Sequence, residues 1–360
     1  MQRREFLKAG AIAAAASPLL AAPAIAQATL NLKLVGGFPR GFPGVGTGAE
    51  KLAKRIEGMT DGKVKITYYG GGELVPPFEV FSAVSSGAAD MGHTAPYFHA
   101  GKVRSAMYFT TVPYGLDQTE LSGWISYGGG QELWDEAYAP FGVKSFYAGG
   151  SGAQAGGWFK KPIEKLDDLA GLKMRIAGLG GDVMRKLGVN TVLTPPPEIY
   201  PALQSGVVDA AEFVGPWNDV ALGLYKVAPY YYLPAFHEPG PALEMMVNQN
   251  VWGNMSPTLQ AIFASAAKAQ AEDTIAEFRY NNTRVLADLV TKGAKVSAFP
   301  ADVVAALGKA SQEVLEAFPK GDPMSEKIHG AYVDYIKQCS AYTKAMEGRM
   351  YADRAAVWGS

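Results

Sequence analysis

A short segment of this chain occurs twice in similar form. Residues 79–90 and 198–209 share Glu, Ala, Ser, Gly and Asp at one fixed offset, and their aromatic and aliphatic positions match in kind. Each copy is typical of a helix that stops at a glycine and continues into a strand. Helix–glycine–strand units resemble one another in general, but the fixed offset also predicts two equivalent lobes. His93 and Glu212 then take equivalent places at two strand ends, where ligands of α/β sheets bind.

Strands and helices alternate through the first two thirds of the chain. Period-two patterns and short apolar runs predict the strands, and helical spacing of apolar residues predicts the helices. The predicted strands are 30–35, 64–69, 89–94, 143–148, 172–177 and 192–194. The predicted helices are 47–59, 77–86, 180–187 and 198–205. This alternation favours an α/β fold with parallel strands.

The last third of the chain has a helical pattern. After Pro257, residues up to 291 contain no Pro or Gly, which predicts one long helix that braces both lobes or a dimer partner. Further helices are predicted at 301–318 and 324–350. The chain then divides into lobe 1 (27–142 with about 241–256), lobe 2 (143–240) and C-terminal helices (257–360).

The first 26 residues have the pattern of a secretory signal. Arg3 and Arg4 begin a twin-arginine sequence, R-R-x-F-L-K, and an Ala-rich run follows it. Pro18 and Pro23 break that run, and residues 24–26 read A-I-A, which favours a cleavage site over a membrane anchor. The sequence therefore predicts export of the folded chain to the periplasm and removal of residues 1–26.

The charge of the chain argues against nucleic acid as a partner. The formal net charge is −1, and loss of residues 1–26, with three basic residues and one acidic residue, takes it to −3. Proteins that bind nucleic acids or anionic membranes carry a basic surface. Cys339 is the single cysteine, so no intramolecular disulfide is possible.

Signatures of catalysis are sparse in the sequence. The four histidines, at positions 93, 99, 237 and 329, fit no zinc-binding spacing. The sequence contains no G-x-S-x-G nucleophile elbow and no phosphate-binding loop. The sequence therefore favours a protein that is not an enzyme.

Two charged residues interrupt apolar strand patterns. Arg175 lies in the predicted strand 172–177, either on its solvent face or as a guanidinium fork for a carboxylate. Glu212 follows an apolar stretch and is flanked by aromatic residues, a setting in which an acid needs a partner. From the residues alone, a structural and a functional role remain equally open for both.

Several stretches together resemble a known family. They are G-A-Q-A-G-G-W-F (152–159), L-K-M-R (172–175), I-Y-P-A-L (199–203), E-F-V-G-P (212–216) and the aromatic-rich segment 222–232. These segments resemble the substrate-binding proteins of tripartite ATP-independent periplasmic (TRAP) transporters, in the branch that binds 2-oxo acids such as pyruvate, or lactate. The resemblance extends over essentially the whole chain and implies a two-lobed α/β fold that closes on its ligand.

The resemblance also implies a set of site residues. Arg175 would clamp the substrate carboxylate, and Glu212, Glu238 and the backbone carbonyl of Phe213 would hold Na⁺ or Ca²⁺, which bridges to the substrate. Gln154 would contact both substrate and cation. An all-oxygen shell suits such hard cations. The candidate substrate-binding residues are thus Gln154, Arg175, Phe213, His93 and Tyr97, and the candidate cation ligands are Glu212, Phe213, Glu238 and Gln154.

The chain departs from the family pattern beside the expected pocket. Phe213 stands where the branch usually has Trp. Residues 237–241 read H-E-P-G-P where the family tends to an aromatic residue followed by Glu-Gly-Gly-Pro. Both changes bear on which organic acid would fit.

The expected function is capture of a small 2-oxo or 2-hydroxy monocarboxylate for the membrane permease subunits of a TRAP transporter. A homodimer is a further expectation. Two other functions fit the same residues: a metal-dependent periplasmic enzyme that acts on a 2-oxo acid, and a sensor that presents its ligand to a receptor.

The leader gives a direct prediction. If the twin-arginine pattern and the A-I-A sequence at 24–26 direct export and cleavage, the intact mass of exported protein will correspond to a chain that begins at Gln27. A secreted product whose mass retains residues 1–26 would contradict this assignment.

Overall fold

The structure is a computed structural model that describes residues 29–359. The predicted signal segment, 1–26, lies outside the described residues. None of the helices within 29–359 is long and apolar enough to cross a membrane.

The described residues form two β-sheets, A and B. The eleven strands, in chain order, are β1 Leu30–Gly36, β2 Val64–Tyr69, β3 Met91–Thr94, β4 Val143–Gly150, β5 Gly157–Phe159, β6 Lys173–Arg175, β7 Asn190–Val192, β8 Ala210–Ala211, β9 Tyr230–Tyr232, β10 Ala242–Asn248 and β11 Lys295–Ser297. Sheet A has the order β2-β1-β3-β10-β4, and sheet B has the order β11-β9-β5-β8-β6-β7. In sheet A, β10 runs antiparallel to both of its neighbours, whereas β1 pairs in parallel with β2 and β3.

The strand β4 corrects the boundary of lobe 2. The sequence places residue 143 at the start of lobe 2, but β4 pairs with β10 in sheet A, from Val143 opposite Asn248 to Gly150 opposite Ala242. Seven of the eight β4 residues are buried in that position. The backbone groups of β4 form hydrogen bonds with β10, so β4 belongs to sheet A. The chain therefore enters sheet B only at β5.

The helices lie around the two sheets. They are α1 Val45–Met59, α2 Val80–Ser85, α3 Met107–Thr110, α4 Gln118–Tyr127, α5 Gly130–Tyr138, α6 Gly178–Lys186, α7 Pro196–Ser205, α8 Pro216–Leu222, α9 Gln249–Gly253, α10 Pro257–Thr291, α11 Ala301–Ala317, α12 Pro323–Ala345 and α13 Glu347–Trp358. The predicted helix 324–350 is wrong in its extent, because the helix breaks at Met346 and a second helix continues to Trp358.

The long helix α10 contacts elements of both sheets. It packs on β4 and α1 on the side of sheet A, and on α8 on the side of sheet B. The Phe278 ring meets Trp217 of α8 edge-on at 5.4 Å between ring centroids. The Asn282 side chain accepts a hydrogen bond from the Trp217 backbone at 3.0 Å. One helix of 35 residues thus ties the two sheets together.

The two similar segments form the same unit in different sheets. Helix α2 ends at Gly87 and leads into β3, and helix α7 ends at Gly206 and leads into β8. Both glycines have φ near +80°, at 77° and 85°, a conformation that side chains other than glycine rarely adopt. The unit predicted from the sequence is therefore present once beside each sheet.

Sheet A buries a polar cluster that is separate from the inter-sheet cavity. Glu244 on β10 is fully buried, and its Oε2 accepts from the Ser145 hydroxyl at 2.7 Å. His99 Nε2 lies 3.7 Å from Glu244 Oε1. Burial raises the pKa of Glu244 to about 8 and lowers the pKa of His99 to about 3. Both groups are therefore neutral near pH 7, and their proximity is not an ion pair.

Glu244 should make the stability of the protein depend on pH. Its pKa rises from 4.5 in the unfolded chain to about 8 in the folded one, so its stabilising contribution is full below about pH 4.5 and is lost as the pH rises through 8. Glu244→Gln stays neutral and still accepts from Ser145. We expect its free energy of unfolding to fall less than that of wild type between about pH 6 and pH 9, measured by urea titration.

The exposed substitution Glu316→Gln is the matched control and should follow the wild-type curve. An equal decline for wild type and Glu244→Gln would mean that Glu244 does not carry the effect.

Candidate functional site

A small cavity lies between the two sheets. Its walls are largely apolar or aromatic, and Arg175 is the one charged residue that lines it. The lining residues are Phe38, Val45, Ala95, Tyr97, Phe98, Thr110, Ser151, Gln154, Arg175, Phe213, Val214, Pro241, Ala242 and Leu243. The cavity therefore combines a single guanidinium with mostly apolar walls.

Arg175 is buried and does not lie on a solvent face. It is the last residue of β6, and 1% of its surface is exposed. Its Nη1 donates to the backbone oxygen of Glu212 and, at 3.1 Å, to Glu212 Oε2. The Phe213 ring lies 5.6 Å from the guanidinium carbon. The interpretation of Arg175 as a solvent-facing residue is therefore excluded.

Two buried carboxylates share this region. Glu212 follows β8, Glu238 lies in the loop between β9 and β10, and neither has exposed surface. Burial raises the pKa of the Glu238 carboxyl well above its usual range, and the charge of Glu212 raises it further, while Arg175 lowers it. Burial and the same two carboxylates raise the pKa of Tyr97. Arg175 therefore compensates only part of the negative charge.

Gln154 is fixed from several sides. Its backbone N–H donates to the Glu238 carbonyl at 3.1 Å, and its own carbonyl accepts from Ala235 at 2.9 Å. Its side-chain Nε2 donates to the Ser151 hydroxyl at 2.8 Å. This leaves Oε1 as the free acceptor, next to the loop that carries Glu238.

The acceptors of this region fit a hard cation. Several buried oxygens have no hydrogen-bond partner among residues 29–359, and four of them belong to these residues: Gln154 Oε1, Glu212 Oε1 and both carboxylate oxygens of Glu238. Buried polar atoms are normally satisfied, so a group of unpaired oxygens indicates a missing partner. Sodium and calcium bind such oxygens in flexible shells. Three of the four predicted cation ligands therefore carry side-chain acceptors suited to such an ion.

The predicted substrate-binding residues do not all meet at the cavity. Gln154, Arg175, Phe213 and Tyr97 line it. His93 lies within β3, is 1% exposed and is not a lining residue. Burial lowers the pKa of His93 to about 4, so the ring is neutral. His93 and Glu212 occupy equivalent positions after the two similar segments, but their surroundings differ. His93 lies inside β3, which continues through Thr94, whereas β8 ends before Glu212.

Sequence reasoning missed the residue that holds the Glu212 loop. Asp219 is fully buried in α8 and accepts from Trp158 Nε1 at 2.9 Å and from the Tyr231 hydroxyl at 3.0 Å. Its other oxygen accepts from the Val214 backbone at 3.3 Å. Burial raises the pKa of Asp219 to about 7. The one sequence signal was an acid two residues after Trp217, in an aromatic-rich segment.

A comparison with protein families identifies the family of the chain. The family described as bacterial extracellular solute-binding protein, family 7, matches residues 43–321. This match covers more than half of the chain, and the chain therefore belongs to that family.

Individual relatives extend the likeness over nearly the whole chain. A monocarboxylate 2-oxoacid-binding periplasmic protein of Nostoc sp. is 38% identical over 354 residues, which cover 96% of this chain and 97% of the relative. A TRAP periplasmic solute-binding protein of Colwellia psychrerythraea, with bound calcium and pyruvate, has a TM-score of 0.87 and 38% identity, and the match covers 91% of this chain and 99% of that one. Another from Pseudoalteromonas atlantica, with bound sodium and pyruvate, has a TM-score of 0.87 and 36% identity, over 90% and 99%.

Proposed function

We propose that this chain is the periplasmic solute-binding protein of a TRAP transporter and that it carries a small 2-oxo or 2-hydroxy monocarboxylate, of the pyruvate or lactate type, to the membrane permease subunits. A sodium or calcium ion bridges the acid to the protein. The observation that carries the proposal is the cavity in which the buried Arg175 adjoins unpaired carboxylate oxygens of Glu212 and Glu238. Membership of the solute-binding family and the ligands of the two pyruvate-bound relatives support it.

Each proposed role follows from the chemistry of the side chain. The guanidinium of Arg175 offers the planar pair of donors that suits a carboxylate. Gln154, Glu212 and Glu238 contribute oxygen ligands for the cation, and Phe213 contributes its backbone carbonyl. Tyr97 and the Phe213 ring border the substrate. Direct contact between His93 and the ligand is not part of the proposal.

The apolar walls favour a monocarboxylate. Arg175 is the one cation among the lining residues, and Glu212 already occupies part of its donor capacity. A second carboxylate would be buried against the aromatic rings of Phe38 and Phe98 without a partner, which costs several kcal/mol as an order of magnitude. A ligand with one carboxylate and a short apolar remainder avoids that cost.

The proposed protein binds its ligand without transforming it. The groups in the cavity bind and neutralise charge, and no nucleophile adjoins a base among the lining residues. Incubation with pyruvate should therefore return the acid unchanged, as judged by NMR of the solution. A homodimer remains a prediction.

Arg175→Lys tests the carboxylate clamp. Lys keeps the charge but lacks the planar fork, so it cannot hold both Glu212 and a substrate carboxylate. We expect loss of affinity for pyruvate by roughly thirtyfold or more, about 2 kcal/mol, measured by calorimetry. Arg185→Lys, at an exposed position on α6, should bind like wild type. Equal affinity of Arg175→Lys and wild type would remove Arg175 from the binding role.

The cation tests the function as a whole. Without it, an anion enters a cavity that adjoins Glu212 and Glu238, whose negative charge Arg175 offsets only in part, and the repulsion is worth several kcal/mol at an effective dielectric of about 20. Pyruvate titrated into chelator-treated, sodium-free protein should bind weakly, and sodium or calcium should restore tight binding. Glu212→Gln should lose this dependence together with affinity.

Glu198→Gln, at an exposed position on α7, is the matched control and should keep the wild-type dependence on cations. If pyruvate and lactate bind equally with and without added cation, and elemental analysis finds no bound ion, the proposed bridging ion is wrong.

A further inference from the structure

His237 is a buried imidazole that lacks a hydrogen-bond partner in the described part of the chain. It precedes Glu238 in the loop between β9 and β10, and 1% of its surface is exposed. Neither Nδ1 nor Nε2 makes a hydrogen bond to any of residues 29–359. Burial of an unpaired polar ring is unfavourable, so a position of this kind requires an explanation.

The backbone of this loop is held on both sides of the imidazole. The His237 carbonyl accepts from the Thr111 hydroxyl at 3.1 Å, and the preceding Phe236 carbonyl accepts from the Tyr114 backbone at 2.8 Å. The next residue, Glu238, accepts from the Gln154 backbone at 3.1 Å. The ring therefore has little freedom to move away.

Gly180 of α6 fixes the ring itself. A Cβ atom at position 180 would lie 2.7 Å from both Cγ and Cδ2 of His237, closer than any real contact. The imidazole can occupy its place only because residue 180 has no side chain. Close packing against the helix holds the Cγ–Cδ2 edge, which leaves Nε2 on the side of Glu212.

The imidazole adjoins the proposed cation ligands. His237 Nε2 lies 3.7 Å from Glu212 Oε2. One donor atom each from Glu212, His237 and Glu238 lie within 4.8 Å of one another, and all three residues are buried. Donors that each stand about 2.1 Å from a common ion are roughly 3–4 Å apart. The distance between His237 Nε2 and Glu212 Oε2, the oxygen that also accepts from Arg175, is within this range.

We propose that His237 is a further ligand at this cation site and that its nitrogen extends the site from sodium and calcium to divalent transition-metal ions of the zinc class. The inference rests on the proposed function, since it concerns the same site. Oxygen-only shells suit sodium and calcium, whereas an imidazole beside carboxylates suits zinc and its neighbours in the series. The calcium and sodium ions of the two pyruvate-bound relatives do not assign this nitrogen.

The test compares zinc with calcium in variants of one residue. Metal-free protein is titrated by calorimetry with Zn²⁺ and, separately, with Ca²⁺, each with and without pyruvate, and bound metal is counted by elemental analysis. We expect one zinc per chain in wild type. His237→Phe keeps a ring but removes both nitrogens, and should weaken Zn²⁺ binding by about 10- to 100-fold. Ca²⁺ affinity should change by less than about threefold, since calcium does not need the imidazole.

Two further variants make the comparison secure. His237→Asn is smaller than His and avoids crowding at Gly180, so it separates loss of the ligand from misfolding. His329→Phe changes a partly buried histidine beside Tyr108 and should leave both affinities as in wild type. Cobalt(II) bound to wild type should show visible absorption bands that shift in both His237 variants, which a purely structural histidine would not change.

The outcomes separate this inference from the proposed function. Unchanged Zn²⁺ affinity in His237→Phe and His237→Asn would show that His237 only packs against Gly180. Binding of Ca²⁺ but not Zn²⁺ by wild type would overturn the zinc-class inference and leave the proposed function standing. Binding of neither ion, with pyruvate affinity independent of both, would overturn the two together.

Discussion

The structure depends on burying one guanidinium beside two carboxylates. Arg175 donates to Glu212 through Nη1 only, and within residues 29–359 both carboxylate oxygens of Glu238 lack a hydrogen-bond partner while its pKa is strongly raised. Burial of two carboxylates beside one guanidinium is unfavourable unless further positive charge offsets the second carboxylate. Much of the surrounding structure holds these atoms in place: Asp219 fixes the backbone after Glu212, and Gln154 fixes the backbone at Glu238. These contacts hold the buried charged groups in fixed positions, as the proposed binding of a cation and an anion together requires.

Much of the fold was predictable because its signals are local. Helix α10 and strand β2 have the predicted bounds, since a run without Pro or Gly after Pro257 defines the helix and period-two alternation defines the strand. The place of β4 was not predictable, because its partner β10 lies about a hundred residues further along the chain. A strand pattern shows that residues are extended, but it does not show which strand will pair with them.

The residues of the site also differ in how far local sequence signals could predict them. Arg175 stood out because it interrupts an apolar strand, but β6 has only three residues, too few for alternation to distinguish a buried face from an exposed one. Glu238 has no local signal at all, since a carboxylate in a Pro/Gly-rich loop is ordinarily solvated, and only the family resemblance indicated it. Neither the buried state of His237 nor the contacts of Asp219 can be inferred without the residues that pack against them, Gly180 and Tyr231.

The chain continues differently after the two similar segments, and the two sheets therefore contribute different side chains to the cavity. In sheet A the chain after β3 places Ala95, Tyr97 and Phe98 against the cavity, whereas in sheet B the shorter β8 ends in time for Glu212 to approach Arg175. Sheet A thus supplies mainly apolar walls, and sheet B supplies charge. Apolar walls exclude water and lower the local dielectric, which strengthens both attraction and repulsion between charges. An anion in this cavity must then be matched by fixed or bound positive charge, because water cannot supply the compensation.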